Sequence, residues 1–142
     1  MSKQHFEVIV VGAGFAGLYL AHKLTAQGRT IRVVEQGSDV GGTWYWNRYP
    51  GARCDAESLA YSFSFSSELE QSWQWSERYA QQPEILSYAR HVVDQFQLRP
   101  VIQFNTQVTS AIWQETQRHW EIETALGDRF TADFCIMARG GL

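Results

Sequence analysis

Three glycines in the segment Gly12-Ala-Gly14-Phe-Ala-Gly17 have the spacing of a turn that binds phosphate. In the pattern G-x-G-x-x-G the first glycine allows a tight turn and the second lets the backbone approach a pyrophosphate. The third lets a helix pack closely on a strand. The N-terminus of the following helix offers free backbone N–H groups and the positive end of its dipole to the anion. The spacing therefore indicates anion binding, although other glycine-rich turns of α/β proteins share it.

An acidic residue in the second strand sharpens this interpretation. Glu35 lies 18 positions after Gly17, at the end of the β-branched run from Thr30. A carboxylate at this place can accept hydrogen bonds from the ribose hydroxyls of a dinucleotide. Its charge repels a 2′-phosphate, so we predict that this turn prefers FAD or NAD to NADP. The alternative at this point is a solvated glutamate at the end of a strand in another α/β protein.

An aromatic and glycine-rich segment, from Gly41 to Asp55, is the second candidate for chemistry. It reads Gly-Gly-Thr-Trp-Tyr-Trp-Asn-Arg-Tyr-Pro-Gly-Ala-Arg-Cys-Asp. Glycines and flat rings are followed by a Pro-Gly turn that brings Arg53, Cys54 and Asp55 to one place. The alternatives are an aromatic cluster packed under a long loop and an Asp55 that only caps the turn.

With these residues the chain resembles the N-terminal FAD-binding part of type I Baeyer–Villiger monooxygenases, such as the phenylacetone and cyclohexanone monooxygenases. Glu35 followed by Gly41-Gly42-x-Trp44 is similar to a pattern shared with flavin-containing monooxygenases. The longer run that ends at Asp55 narrows the resemblance to the Baeyer–Villiger branch. It covers essentially the whole chain, because it continues through residues 58–65, 77–80 and 82–85.

The resemblance implies a set of cofactor-binding residues. At FAD they are Gly12, Gly14, Ala16 and Gly17 for the pyrophosphate, Glu35 for the ribose, Val108 for the adenine, and Gly42, Thr43, Trp44, Tyr45, Trp46 and Tyr61 around the ribityl chain and flavin. At NADP they are Arg53, Cys54 and Asp55, which would face the nicotinamide, with Asp55 also near the flavin. Asp55 is also the implied catalytic acid, which positions an arginine that is not in this chain.

The implied reaction belongs to the cofactors FAD and NADP. NADPH reduces FAD, and O₂ adds to give a flavin C4a-peroxide that attacks a small-molecule ketone to form an ester or lactone. The positive charge of the arginine stabilises the developing anions. No metal site is expected, because the two cysteines and four histidines have no metal-ligand spacing.

These residues need a βαβ unit to position them. Residues 6–11 form an apolar run typical of a strand buried on both faces. A helix is predicted over 18–27 with Gly28 at its C-terminal end, and a second strand over 30–35. Residues 37–67 show no clear periodicity. Further on, Pro83 begins an amphipathic helix, and residues 101–104 form a third parallel strand.

Three later segments with alternating polarity predict an antiparallel meander lying over the sheet. They are residues 108–113, 120–124 and 129–138, and the last ends in an apolar run that can return to the main sheet. The predicted fold class is α/β: a Rossmann-like FAD-binding domain over residues 1–142, with a parallel sheet and this meander.

Composition excludes several classes of protein. The 142 residues are 44% hydrophobic and 14% aromatic, which excludes disorder by composition. The formal net charge of −3 argues against a general nucleic-acid binder. No apolar run reaches the roughly 20 residues of a membrane helix. We expect a cytoplasmic protein with no membrane partner, and the sequence leaves its oligomeric state open.

Two departures from the resemblance stand near the end of the sequence. The chain stops at Leu142, before the second glycine-rich motif for NADP, so we expect a fragment or a natural truncation whose isolated chain is inactive. Arg139 stands where the family has a small hydroxyl residue, in a segment that runs close to the FAD pyrophosphate. A long cation there blocks this approach, pairs with phosphate, or has no function because it lies near the chain end, and the sequence does not choose among the three.

Two other functions remain open at this stage. One is an N-hydroxylating or sulfur-oxidising flavin monooxygenase, which shares Glu35 and Gly-Gly-x-Trp but leaves Arg53, Cys54 and Asp55 unexplained. The other is a non-catalytic module that holds FAD or another adenine nucleotide and turns nothing over.

Overall fold

The computed structural model describes residues 3–141, so Met1, Ser2 and Leu142 of the predicted domain lie outside the described residues. The predicted βαβ unit is confirmed. It consists of strand β1 (Gln4–Val11), helix α1 (Phe15–Ala26) and strand β2 (Ile31–Val34). Gly28 has a left-handed backbone with φ +73°, and the chain leaves the helix just before it.

Three further helices follow β2. Helix α2 (Thr43–Trp46) and helix α3 (Ser67–Ser72) fall in or next to the segment without periodicity, and the sequence did not predict them. A helix of one turn leaves no amphipathic pattern to detect. Helix α4 (Gln82–Gln95) confirms the helix predicted at Pro83, which occupies its first turn.

The remaining chain forms one short helix and four strands. A single 3₁₀ turn (Arg99–Val101) leads into β3 (Ile102–Gln103), which lies parallel to β2 as predicted. The meander is β4 (Val108–Gln114), β5 (His119–Thr124) and β6 (Arg129–Met137). β4 and β6 are both antiparallel to β5.

All six strands belong to one sheet in the order β3-β2-β1-β6-β5-β4. The expectation of a meander lying over the sheet therefore needs a correction, because β6 pairs with β1 and carries β5 and β4 as an extension of the same sheet. β6 is parallel to β1 from Phe130 to Met137, but it pairs with β5 only from Arg129 to Ala132. Between its two partners, β1 is an interior strand, as its apolar sequence predicted.

The core lies on both faces of this sheet. Val8, Val10 and Val33 pack on one face against α1 and α4. Ile9 packs on the other face, in a cluster with Ile122, Phe130 and other residues of the meander. Among the described residues, no helix is long and apolar enough to cross a membrane.

Candidate functional site

A cavity of about 810 Å³ lies beside the carboxyl ends of β1, β2 and β6. These strands are parallel, so their ends meet at one edge of the sheet, where open α/β sheets bind ligands. Ten residues predicted for FAD line the cavity: Gly12, Gly14, Ala16, Glu35, Gly42, Thr43, Trp44, Trp46, Tyr61 and Val108.

The glycine turn closes so tightly that side chains do not fit at two of its positions. Gly12 has φ +109°, and a Cβ there would lie 2.5 Å from the carbonyl oxygen of Ala138. Gly17 is buried and lies outside the cavity lining, and a Cβ on it would overlap the carbonyl oxygen of Gly12. The turn thus brings the N-terminus of α1 to the cavity, and its first N–H groups have no partner within the helix.

A contact between two glycines joins the turn to the next loop. A Cβ on Gly42 would lie 2.8 Å from Cα of Gly14, and one on Gly14 would lie 3.3 Å from Cα of Gly42. Beside them, the backbone N–H of Gly41 donates a hydrogen bond to the carbonyl of Ala13 at 3.0 Å. The sequence placed Gly14 and Gly42 in one site but did not predict that their backbones touch.

Glu35 is a buried carboxylate that organises the backbone around the cavity. Its side chain accepts hydrogen bonds from the N–H groups of Ala13 at 2.7 Å and Gly37 at 2.8 Å, one on each oxygen. The residue is 5% exposed, so the alternative of a solvated strand end is wrong. A carboxylate has about four acceptor positions, and Glu35 therefore keeps acceptor capacity for hydroxyl groups in the cavity.

The aromatic residues of the Gly41–Asp55 segment divide between the cavity and the surface. Trp44 lines the cavity, is buried, and donates its indole N–H to the hydroxyl of Tyr61 at 3.0 Å. Trp46 also lines the cavity but is 54% exposed. Tyr45 lies outside the lining, where its hydrogen bonds with Ser38 lower the pKa of its hydroxyl.

The sequence is similar to a family of nucleotide-binding domains and to known monooxygenases. Residues 10–79 match the family described as NAD(P)-binding Rossmann-like domain. A phenazine N-monooxygenase from Lysobacter antibioticus is 46% identical over 99% of the chain and 26% of its own length. A Baeyer–Villiger monooxygenase from Pseudooceanicola batsensis is 45% identical over 95% of the chain and 25% of its own length.

A solved structure agrees in both fold and sequence. Oxidised steroid monooxygenase bound to NADP superposes with a TM-score of 0.95 at 56% identity, over 96% of this chain and 26% of that one. The chain is homologous to the N-terminal part of Baeyer–Villiger monooxygenases. It spans about a quarter of the length of these relatives.

The residues that resemble the nicotinamide-facing group of Baeyer–Villiger monooxygenases lie outside the cavity lining. Cys54 is buried behind Trp44 in the same apolar cluster. Arg53 pairs with Glu77 at 3.3 Å, and Asp55 is exposed. The structure therefore separates the two predicted groups: ten of the predicted FAD residues line the cavity, whereas Arg53 and Asp55 are exposed outside its lining.

Thr106, Gln107 and Met137 are among the cavity residues that sequence reasoning missed. Thr106 and Gln107 follow β3, and Met137 ends β6. The signal that could have found them is topological. Strands parallel to β1 must end at the edge where the glycine turn lies, so the residues after them border the same crevice.

Proposed function

We propose that this chain forms the FAD-binding portion of an NADPH- and O₂-dependent flavoprotein monooxygenase that converts ketones to esters or lactones. One observation carries the proposal: the glycine turn, the N-terminus of α1 and the buried carboxylate of Glu35 converge on one cavity. The homology with Baeyer–Villiger monooxygenases supports the reaction class, since a Baeyer–Villiger oxidation inserts an oxygen atom beside a ketone carbonyl.

The cavity fits FAD in size and in the character of its walls. Its volume of about 810 Å³ lies within the roughly 300–1,000 Å³ of typical ligand and cofactor sites. Gly12, Gly14 and Gly42 line the cavity without side chains, so backbone faces it there. Exposed backbone at the N-terminus of the 12-residue helix α1 suits a pyrophosphate.

Different residues of the cavity would bind different parts of FAD. Gly12, Gly14 and the first N–H groups of α1 hold the pyrophosphate, and Glu35 accepts ribose hydroxyls. Val108 would contact the adenine, and Thr43, Trp44, Trp46 and Tyr61 would lie towards the flavin. When bound, FAD supplies the oxidation–reduction chemistry, and the protein supplies binding, orientation and electrostatics.

In this proposal Arg53, Cys54 and Asp55 serve NADP. Asp55 is exposed, so its carboxylate is free to approach a cationic side chain, and we propose that it positions the arginine of the reaction. Cys54 fixes this segment, because its backbone N–H donates to the carbonyl of Ala80 at 3.0 Å and its side chain packs beside Trp44.

Titration of the purified chain with FAD tests the cofactor assignment. We expect flavin fluorescence to change on binding, and we expect Gly14→Val to abolish that change because its branched side chain fills the pyrophosphate site and presses on Gly42. Ala26→Val, at the exposed end of the same helix, is the matched control and should bind as the parent does. Equal affinity in all three proteins would contradict the site.

N-oxidation is a second candidate reaction, favoured by the homology with a phenazine N-monooxygenase. Both reactions use the same cofactor cavity, so FAD binding does not separate them. Product analysis of the longest available form of the protein does, with a cyclic ketone and an aromatic N-heterocycle as competing substrates. Ester or lactone identifies the ketone reaction, and an N-oxide identifies the alternative.

A further inference from the structure

Arg139 lies next to the glycine turn of residues 12–17. It lines the cavity together with Gly12 and Gly14. A Cβ built on Gly12 would lie 3.1 Å from Cα of Arg139, so the two backbones are in contact. The position is fixed from the preceding residue, because the N–H of Ala138 donates to the carbonyl of Val11 at 2.8 Å.

The walls around Arg139 provide no carboxylate for its charge. Glu35 is the one acidic residue in the lining of the main cavity, and both of its oxygens already accept backbone N–H groups. Arg139 also borders a second cavity of about 350 Å³ between β4, β5 and β6, whose lining contains no acidic residue. Within residues 3–141, no carboxylate lies within ion-pair distance of its guanidinium.

Resting on the proposed function, we infer that Arg139 is a second anchor for the pyrophosphate of FAD, beside the N-terminus of α1. A guanidinium presents a planar fork of donors that matches phosphate oxygens in pairs. The glycine turn would donate backbone N–H groups to the pyrophosphate, and Arg139 would add a full positive charge beside it. The same chemistry extends to any ligand with an adenosine diphosphate moiety.

The alternative, a steric block by this long side chain, does not fit the geometry. The close backbone contacts are made at Gly12 and Gly42, where a Cβ does not fit. Arg139 is exposed and borders both cavities. The side chain therefore has open space in which to follow a bound anion.

The test compares charge-matched variants of the same strand. Arg139→Ala removes the proposed anchor, and Arg129→Ala removes one positive charge from the exposed opposite end of β6. Arg139→Lys keeps the charge without the planar fork. Affinities for FAD, ADP and adenosine are measured by fluorescence titration and calorimetry at 50 and 500 mM NaCl, with circular dichroism as a check of folding.

We expect Arg139→Ala to lower the affinities for FAD and ADP about tenfold. The affinity for adenosine should not change, because adenosine has no phosphate. The FAD and ADP affinities of Arg139→Ala should also depend less on salt, since a screened ion pair has been removed. The affinities of Arg139→Lys for FAD and ADP should lie between those of the parent and Arg139→Ala. Those of Arg129→Ala should match the parent. Unchanged FAD and ADP affinities in Arg139→Ala, or an equal loss of adenosine affinity, would overturn this inference but not the proposed function. A parent chain that binds neither FAD nor ADP would overturn the proposed function as well.

Discussion

At the scale of single residues, Glu35 has two tasks. Its oxygens hold the N–H groups of Ala13 and Gly37, which fix the glycine turn and the loop after β2. Its remaining acceptor positions are available to the ribose in the proposed complex. Burial makes the first task costly to remove, because a buried N–H without an acceptor costs the folded state its full desolvation penalty.

We therefore expect Glu35→Ala to reduce both stability and FAD affinity. The free energy of unfolding should fall by about 1–3 kcal/mol for each N–H left without an acceptor. FAD binding should weaken by about 1–3 kcal/mol through the lost charge-assisted hydrogen bond. Urea unfolding and flavin titration measure the two effects. Glu68→Ala, an exposed position on α3, is the control and should change neither. A Glu35→Ala protein as stable as its parent would show that these hydrogen bonds are unimportant.

Short-range spacing predicted Gly12, Gly14 and Glu35, whereas Tyr61 and Val108 were named only through the resemblance. Gly12 and Gly14 follow a strand and begin a helix, and Glu35 ends the next strand, so chain connectivity alone brings them together. Tyr45 shows the limit of this reasoning. It sits between two cavity tryptophans in sequence, but one turn of α2 directs it to Ser38 instead. Spacing does not reveal on which side of a four-residue helix a side chain lies.

At the scale of elements, one carboxylate links the loop after β2 to α4. Asp39 accepts hydrogen bonds from Arg90 of α4 at 2.7 Å and from Arg99 of the 3₁₀ turn at 3.3 Å. Burial alone would raise the pKa of Asp39. The hydrogen bond from Arg90, together with the Val40 N–H and the charge of Arg99, outweighs it and lowers the pKa below its ordinary value of 3.8.

This lowered pKa sets the pH dependence that we expect for Asp39→Asn. The carboxylate has a lower pKa in the folded state than in the unfolded state. Its stabilisation is therefore complete above the ordinary value and is lost as the pH falls through the folded-state pKa. At pH 7 the variant should be less stable by about 1 kcal/mol, the scale of a partly exposed ion pair. That difference should be smaller at pH 3 than at pH 7, because pH 3 lies below the ordinary pKa of 3.8.

Urea unfolding of the parent and the variant at pH 7 and pH 3 measures this difference. Glu68→Gln, at an exposed position on α3, is the matched control and should change stability by less than about 0.5 kcal/mol at pH 7. A stability difference for Asp39→Asn that is the same at both pH values would show that the charge of Asp39 does not hold α4.

Element prediction succeeded where the hydrophobic pattern is long or repeats. β1, α1, α4 and the three meander strands all appear close to their predicted places. The pairing partner of β6 could not be fixed in the same way, because residues 134–137 are apolar on both faces and alternation does not say which neighbour they meet. Tertiary contact with β1 decides it, and this contact is what brings Arg139 to the cavity.

At the scale of the whole molecule, the cavity is open to water. Trp46 and Met137 line it and are 54% and 53% exposed. The sequence contains a single G-x-G-x-x-G turn, so it offers one dinucleotide site of this kind. Oxygenation needs a second nucleotide site for NADPH, and it needs a reaction site from which water is excluded.

We therefore expect the polypeptide of residues 1–142 to bind FAD without oxygenating ketones. Incubation with FAD, NADPH and a phenyl or cyclic ketone, followed by gas chromatography, measures the ester or lactone directly. A full-length Baeyer–Villiger monooxygenase under the same conditions controls for the assay. Ester formed in proportion to the NADPH consumed by the 142-residue chain would contradict this expectation. It would show that oxygenation needs neither a second dinucleotide turn nor a reaction site closed to water.

The partial pairing of β6 has a consequence for how this polypeptide behaves in concentrated solution. From Asp133 to Met137 one edge of β6 meets no other strand of the described chain, and Phe134 on this stretch is 66% exposed. A row of open N–H and C=O groups flanked by apolar side chains is a template on which another molecule can add a strand. Asp133 is the one charge on this stretch that opposes such addition. We therefore expect self-association through this edge to lower the solubility of the polypeptide of residues 1–142.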